Sequence, residues 1–402
     1  MFAPHQGEPF VLVAADLGWW QRAADERRVR EPLLKRLQLN PTRVLFNLSH
    51  THAGPSICAD DADKPGGALI EPYLDAVGIA AIEATSEALA AAVDATLEWT
   101  VGRSGLAANR DLAGEKRHLV GFNPDEPADD TVLVGRITDG AGDHLITIVN
   151  YACHPTTLAW ENTLISPDYV GSLRTTVEEA TGAPCVFLQG ASGELAPREQ
   201  YVSDTDVPER HGRALGHAVL AALETLPPPR TELRFTEIVE SGAPLAIWSN
   251  TSRLPPTVAD ATLLEVPVDL RSDDSLEEIA QLWEPLSEGA ATERLNRARR
   301  LRDDYGGSHS AAHPIWIWRL GDTAVVAHPG EAYSLLQRGL RQRHPNLAVV
   351  VMNVTNSPGS VYFPPRDLYA ENAYSAWQTL VRQGSLEKLI EAADNAITNL
   401  FD

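Results

Sequence analysis

Three times in this chain a short apolar run stops at a histidine and is turned aside by proline or glycine. Arg43-Val44-Leu45-Phe46 leads into Asn47-Leu48-Ser49-His50-Thr51-His52-Ala53-Gly54-Pro55. An apolar run over 144–149 leads into Asn150-Tyr151-Ala152-Cys153-His154-Pro155-Thr156-Thr157, and Thr323-Ala324-Val325-Val326-Ala327 leads into His328-Pro329-Gly330-Glu331. Runs of this length, ended by Gly or Pro, signal buried strands. Loops at the ends of rigid strands are where catalytic groups are usually mounted. In extended backbone, side chains at i and i+2 share a side, so His50 and His52 are expected to face one cavity with Thr51 turned away. One suits a metal and the other a substrate or water; both also occur as ordinary polar residues at a strand end.

Between these runs the pattern alternates. Strands are expected over 10–15, 43–50, 99–102, 131–137, 144–151, 185–188, 315–320, 323–327 and 347–351, and helices over 20–38, 71–95, 168–181, 207–226, 275–303, 331–343 and 385–400. Asp139-Gly140-Ala141-Gly142 and Gly321-Asp322 join two of the strand pairs as hairpins. Residues 230–270 are strand-like, with Pro267 confining its run to a sheet edge. The alternation with interspersed hairpins predicts an α/β fold with mixed β-sheets flanked by helices. A single domain over 1–402 is expected, with a possible internal boundary at the proline run Pro227-Pro228-Pro229, near 227–230.

Composition narrows the function. With 402 residues and a formal charge of -22, nucleic acid is excluded as a partner, because its phosphates would be repelled; an anionic membrane surface is disfavoured for the same reason. Basic charge is almost all arginine, as in a high-GC bacterial composition. Cys58, Cys153 and Cys185 are an odd number with no metal-ribbon or redox spacing, so no disulfide framework is implied. No apolar run reaches transmembrane length, and no integral membrane segment is expected. Residues 1–9 lack a secretory signal. A soluble protein is expected, cytoplasmic if Met1 is the native start and exported if a signal has been removed. The oligomeric state is left open.

Two strand-end histidines of the same design, His50 and His154, strengthen each other as candidates. Glu331, expected to open a helix, would be favoured there by the helix dipole. Functionally it is a hard anionic donor, and histidines with one carboxylate are the usual set of a catalytic zinc site. Leu188-Gln189-Gly190-Ala191-Ser192-Gly193-Glu194 runs a strand into a small-residue loop that suits either close approach to a ligand or a tight turn. It is neither a phosphate loop nor a nucleophile elbow. Tyr362-Phe363-Pro364, with Tyr374 after it, suits packing as well as function.

In their order along the chain these pieces resemble the catalytic domain of the neutral/alkaline (non-lysosomal) ceramidases, which are zinc-dependent amidases. The matching pieces are Ser49 to Pro55, Asn109-Arg110, Asn150 to Thr156, Leu188 to Glu194, Pro329-Gly330-Glu331, and Tyr362-Phe363-Pro364 with Tyr374. The resemblance implies a ceramidase-like fold and a single zinc ion held by His50, His154, Glu331 and Tyr362, with His52, Arg110 and Tyr374 lining the reaction centre. It also implies hydrolysis of a linear amide in a small-molecule or lipid N-acyl substrate, ceramide by default. Zinc lowers the pKa of its water to roughly 7. On this resemblance zinc would supply a nucleophilic water, Arg110, His52 or Tyr374 would help stabilise the oxyanion, and His52 would be the proton donor to the leaving amine.

The chain departs from the family in Gly193-Glu194-Leu195-Ala196-Pro197, where the family has a serine at the place of Ala196. Without that hydroxyl no acyl-enzyme forms there. No C-terminal immunoglobulin-like domain is expected, because the chain stops at Asp402 soon after the last motif. Esterase or lactonase chemistry on the same site is the enzymatic alternative, and a non-catalytic ligand-binding relative is the other. Trp19, Trp20, Trp160, Trp248, Trp316, Trp318 and Trp377 are expected mostly in the core, with some lining an apolar cleft. Residues 230–300 carry no recognisable motif.

Overall fold

The computed structural model describes residues 1–4, 7–115, 118–271, 278, 288–305, 309–357, 361–371 and 373–402. In chain order the elements are β1 (Val11–Ala15), α1 (Ala23–Leu37), β2 (Val44–Leu48), α2 (Ile70–Ala90), β3 (Ala95–Arg103), β4 (Ala107–Asn109), β5 (Asp111–Leu112), β6 (Leu119–Val120), β7 (Thr131–Asp139), β8 (His144–Tyr151), α3 (Tyr169–Thr181), β9 (Cys185–Gln189), β10 (Leu195–Pro197) and α4 (Asp206–Leu223). There follow β11 (Thr231–Glu240), β12 (Pro244–Ser252), β13 (Ala259–Asp269), α5 (Glu288–Asp304), β14 (Ser310–Leu320), β15 (Thr323–Ala327), β16 (Glu331–Ala332), α6 (Leu335–Arg343), β17 (Ala348–Met352), β18 (Tyr362–Phe363), α7 (Tyr374–Gln378) and α8 (Ser385–Phe401). Of the helix expected over 275–303, the part before 288, residue 278 aside, lies outside the described residues.

Two four-stranded mixed sheets form the centre, in the orders β3-β7-β8-β9 and β13-β14-β15-β17. Each has two antiparallel pairings and ends on a parallel one, β8 with β9 and β15 with β17. The sheets stack through Leu133, Ile137, Ile148 and Leu188 on one side and Trp316, Trp318, Val325, Val350 and Met352 on the other. Side chains alternate across a strand, so the neighbouring positions face outward. Val132, Val134, Val149 and Phe187 pack with Leu173, Val177, Leu215 and Val219 of α3 and α4. Ile315, Ile317, Val326 and Val351 pack with Leu336, Leu340, Leu389 and Ile390 of α6 and α8. The result is an α/β fold with two mixed sheets layered between helices, as the alternating pattern implied. The parallel pair β1 and β2 adds a flank, where Phe46 and Leu48 pack with Val29 of α1 and Leu74 of α2.

Pro267 sits in β13, which is an edge strand of its sheet, where a missing N–H is tolerated. α2 ends at Ala90, short of the expected 95, because Ala95 already pairs with Asp139 in the first sheet. β11 and β12 form a separate hairpin whose Leu233, Phe235, Ile238 and Trp248 are exposed. The chain enters the hairpin past the proline run, held where Arg136 donates to the Pro227 carbonyl (2.7 Å) and the Arg230 N–H to Glu98 (3.0 Å). All three cysteines are buried and free. Among the described residues no helix is long and apolar enough to cross a membrane.

Candidate metal centre

Asparagine side chains tie the strand ends that carry the motifs. Asn47 donates to the Asn353 carbonyl and to Thr355 (both 2.9 Å) and accepts from the Gln189 N–H (3.2 Å). Asn150 donates to the carbonyls of Leu188 (3.1 Å) and Val351 (2.9 Å). The ends of β2, β8, β9 and β17 are thereby fastened to one another. His50, His52 and His154 project from this edge with ring nitrogens within 4.8 Å of one another. The convergence does not come from strand alternation. His50 lies beyond β2 with φ of 67°, a left-handed conformation that costs a non-glycine residue about 1–2 kcal/mol. It is fixed by its N–H on the Leu17 carbonyl (2.9 Å), and the His52 N–H binds the Pro155 carbonyl (3.2 Å).

Glu331 reaches the histidines from a strand and not from a helix. It pairs with Tyr362 in the short parallel ladder of β16 and β18, and its N–H binds the Val361 carbonyl (2.8 Å). That ladder keeps the chain extended after Pro329-Gly330, so α6 begins only at Leu335. The carboxylate at the start of α6 is Glu194, which accepts from the Ser334 N–H (2.9 Å) and from its hydroxyl. Burial pushes the Glu194 carboxyl up to about 7, against the bonds from Ser334. The small-residue loop before it serves close packing. A Cβ on Gly193 would meet the Tyr333 ring at 2.6 Å, and the Gly193 carbonyl accepts from Arg110 Nη2 at 2.9 Å. Ala196 is buried on β10, opposite Ala108 of β4.

The tautomers follow from the backbone. His50 Nδ1 faces the Gly18 carbonyl (3.1 Å) and His154 Nδ1 faces the Leu195 carbonyl (3.0 Å). A carbonyl only accepts, so each Nδ1 carries a proton and each Nε2 is the nitrogen turned toward the site. Both Nε2 atoms then lie beside one oxygen, Glu331 Oε2, at 3.3 Å and 3.2 Å. His50 Nε2 is buried without a hydrogen-bond partner. Burial, helped by nearby Arg110, pushes the His154 imidazole down to about 3, so it is neutral at neutral pH. Burial alone would raise the Glu331 carboxyl; facing His50, His154 and Arg297, it is held well below the usual carboxylate range. Two imidazole nitrogens and a carboxylate oxygen thus converge on one point. That donor set fits a metal ion, each histidine being held through its other nitrogen by a backbone carbonyl.

Around this point lies a cleft of about 350 Å³. Arg110, buried, donates to the Tyr362 hydroxyl at 3.1 Å, and Tyr374 packs edge-on to the Tyr362 ring at 5.8 Å. His52 keeps an exposed edge in the cleft. The protein crowded around its ring, with His50 and His154 beside it, pushes its pKa well below that of an ordinary histidine. All seven residues expected at the site line this cleft or, for His154, abut it. Three more belong with them. Trp19 lies against His50 and His52, with ring separations of 5.5 and 5.1 Å. Arg297 of α5 pairs with Glu331 Oε1 at 3.1 Å, and Arg294, one turn earlier, lines the same cleft. The signal for the two arginines was their i, i+3 spacing on one helix face. Of the other tryptophans, Trp20, Trp316 and Trp318 are core, Trp160 and Trp248 are exposed, and Trp377 packs on Tyr374.

No family model matches the sequence, and no curated protein matches it. Solved structures do match in fold, among them two of ceramidases. One, a ceramidase complexed with C2, has a TM-score of 0.67 at 16% identity, over 96% of this chain and 67% of that one. Another, neutral ceramidase from Pseudomonas aeruginosa, has a TM-score of 0.61 at 16% identity, over 95% of this chain and 65% of that one. The chain thus spans about two thirds of their length and shares their fold.

Proposed function

We propose that the protein is a zinc-dependent hydrolase that cleaves the amide bond of an N-acyl substrate, ceramide-like in joining an acyl chain to a polar amine. The observation that supports this reading is the meeting of His50 Nε2, His154 Nε2 and Glu331 Oε2 at 3.3 Å and 3.2 Å, with both histidines held through Nδ1 by backbone carbonyls. His50, His154 and Glu331 would hold the ion, with Tyr362 as fourth ligand. A zinc ion in such a set supplies Lewis acidity and an activated water at neutral pH.

The remaining groups do the rest. Arg110 is anchored on the Gly193 carbonyl and reaches the Tyr362 hydroxyl. Its charge is therefore preorganised near the carbonyl oxygen where negative charge develops. His52, neutral at pH 7, takes the proton of the attacking water and returns it to the leaving amine. Tyr374, beside Tyr362, is placed to hydrogen-bond the carbonyl oxygen. Arg297 pairs with Oε1 of Glu331, which leaves Oε2 facing the histidines. With Ala196 in place of a serine, the reading needs no acyl-enzyme.

The test is hydrolysis of matched N-acyl and O-acyl substrates by zinc-loaded and chelated protein. Amide cleavage that disappears on chelation and returns with zinc is expected. Arg110→Ala should lower kcat about 100-fold or more, as loss of an oxyanion donor does. Zinc-loaded protein that cleaves esters but no amide would move the reading to an esterase, and inertness toward both would end the hydrolase reading.

A further inference from the structure

Among the described residues of the cleft, Arg294 is the cation whose bonding is incomplete. Its guanidinium lies over the rings of Trp377 (4.6 Å) and Tyr374 (5.2 Å), which hold it in one orientation. Its Nη1 is buried with no hydrogen-bond partner. The other two arginines lining the cleft are engaged, Arg110 with Gly193 and Tyr362, and Arg297 with Glu331. Of the carboxylates there, Glu331 belongs to the metal centre, and Glu293 is exposed and acts on Arg297. A buried guanidinium N–H left unmatched is costly, and the cleft is locally cationic in a chain of net charge -22.

We propose that the polar part of the substrate carries a carboxylate, received by Arg294 on its Trp377–Tyr374 seat. This rests on the N-acyl hydrolase reading and narrows it to N-acyl amino acids, against neutral N-acyl amino alcohols. A guanidinium takes a carboxylate through parallel N–H bonds, and the aromatic seat keeps the fork preorganised. Tyr374 then touches both the reacting centre and the group that sets specificity.

The experiment compares N-lauroylglycine with N-lauroylethanolamine, which have the same acyl chain and differ in carboxylate against hydroxymethyl. Zinc-loaded wild type, Arg294→Gln and Arg294→Lys are assayed for hydrolysis and titrated by calorimetry with each amide in metal-free form. Wild type should favour N-lauroylglycine by roughly 10- to 100-fold in kcat/KM, carried in KM, the range of a charge-assisted hydrogen bond. The preference should collapse in Arg294→Gln and survive in part in Arg294→Lys. Equal cleavage of both amides by wild type overturns the subsite while the hydrolase reading stands. If neither amide is cleaved, the amide-hydrolase reading fails and calorimetry decides the subsite. Tighter binding of N-lauroylglycine that weakens at least 10-fold in Arg294→Gln upholds it, and equal or absent binding of both overturns it.

Discussion

His50, His154 and His328 follow the same pattern in the sequence, yet only the first two meet Glu331. His328 turns inward, where its Nε2 donates to Asn353 Oδ1 (2.9 Å) and its Nδ1 accepts from the Gly330 N–H (3.2 Å). Burial pushes its pKa down to about 4, against the bond to Asn353. Unfolded, it would titrate near 6.5. Between these values the unfolded chain takes a proton that the folded chain refuses, so stability is whole above about pH 6.5 and is lost as pH falls toward 4, by up to about 3 kcal/mol. Urea denaturation of wild type and His328→Gln across this window should give the steeper acid loss in wild type; equal slopes would contradict it. Sequence pattern made all three histidines visible as strand-end groups, but it could not separate them, because the difference lies in which partner each nitrogen meets across the fold.

At the scale of elements, most strands and helices were legible because burial imposes a period of 2 or 3.6 on the side chains. The exceptions have local causes. Glu331 looked helical because the residues after it are, while a two-residue ladder to Tyr362 holds it extended. His50 and His52 were correctly brought together on a mistaken geometry, the left-handed turn at His50 being invisible to pattern reasoning. The arginines of α5 were missed because a charged helix face has many possible neighbours. The β11–β12 hairpin is held mainly at its base, where Arg253 N–H binds the Arg230 carbonyl (2.8 Å), and its apolar side chains lie outside the sandwich core. Replacing residues 233–250 by a tight turn that joins the paired Glu232 and Thr251 should shift the melting temperature by less than about 4 °C, the effect of roughly 1 kcal/mol. A drop of 10 °C would mean that the hairpin carries part of the core.

For the molecule as a whole, the stacked sheets explain why residues far apart in sequence share one site. Parallel pairing aligns β8 with β9 and β15 with β17, and the asparagine bonds fasten these ends together with β2. The order of motifs along the chain made the fold class legible and named seven residues that gather at or beside one cleft; the contact of Arg294 with Trp377 brings α5 beside α7 and was not anticipated. The account rests on the cation expected between His50, His154 and Glu331. Elemental analysis of wild type and His154→Ala after gel filtration without added metal tests it most directly. About one zinc per chain in wild type, lost in a variant that remains folded, is the predicted result. A folded wild-type protein that carries no metal and takes up none when zinc is added would contradict it.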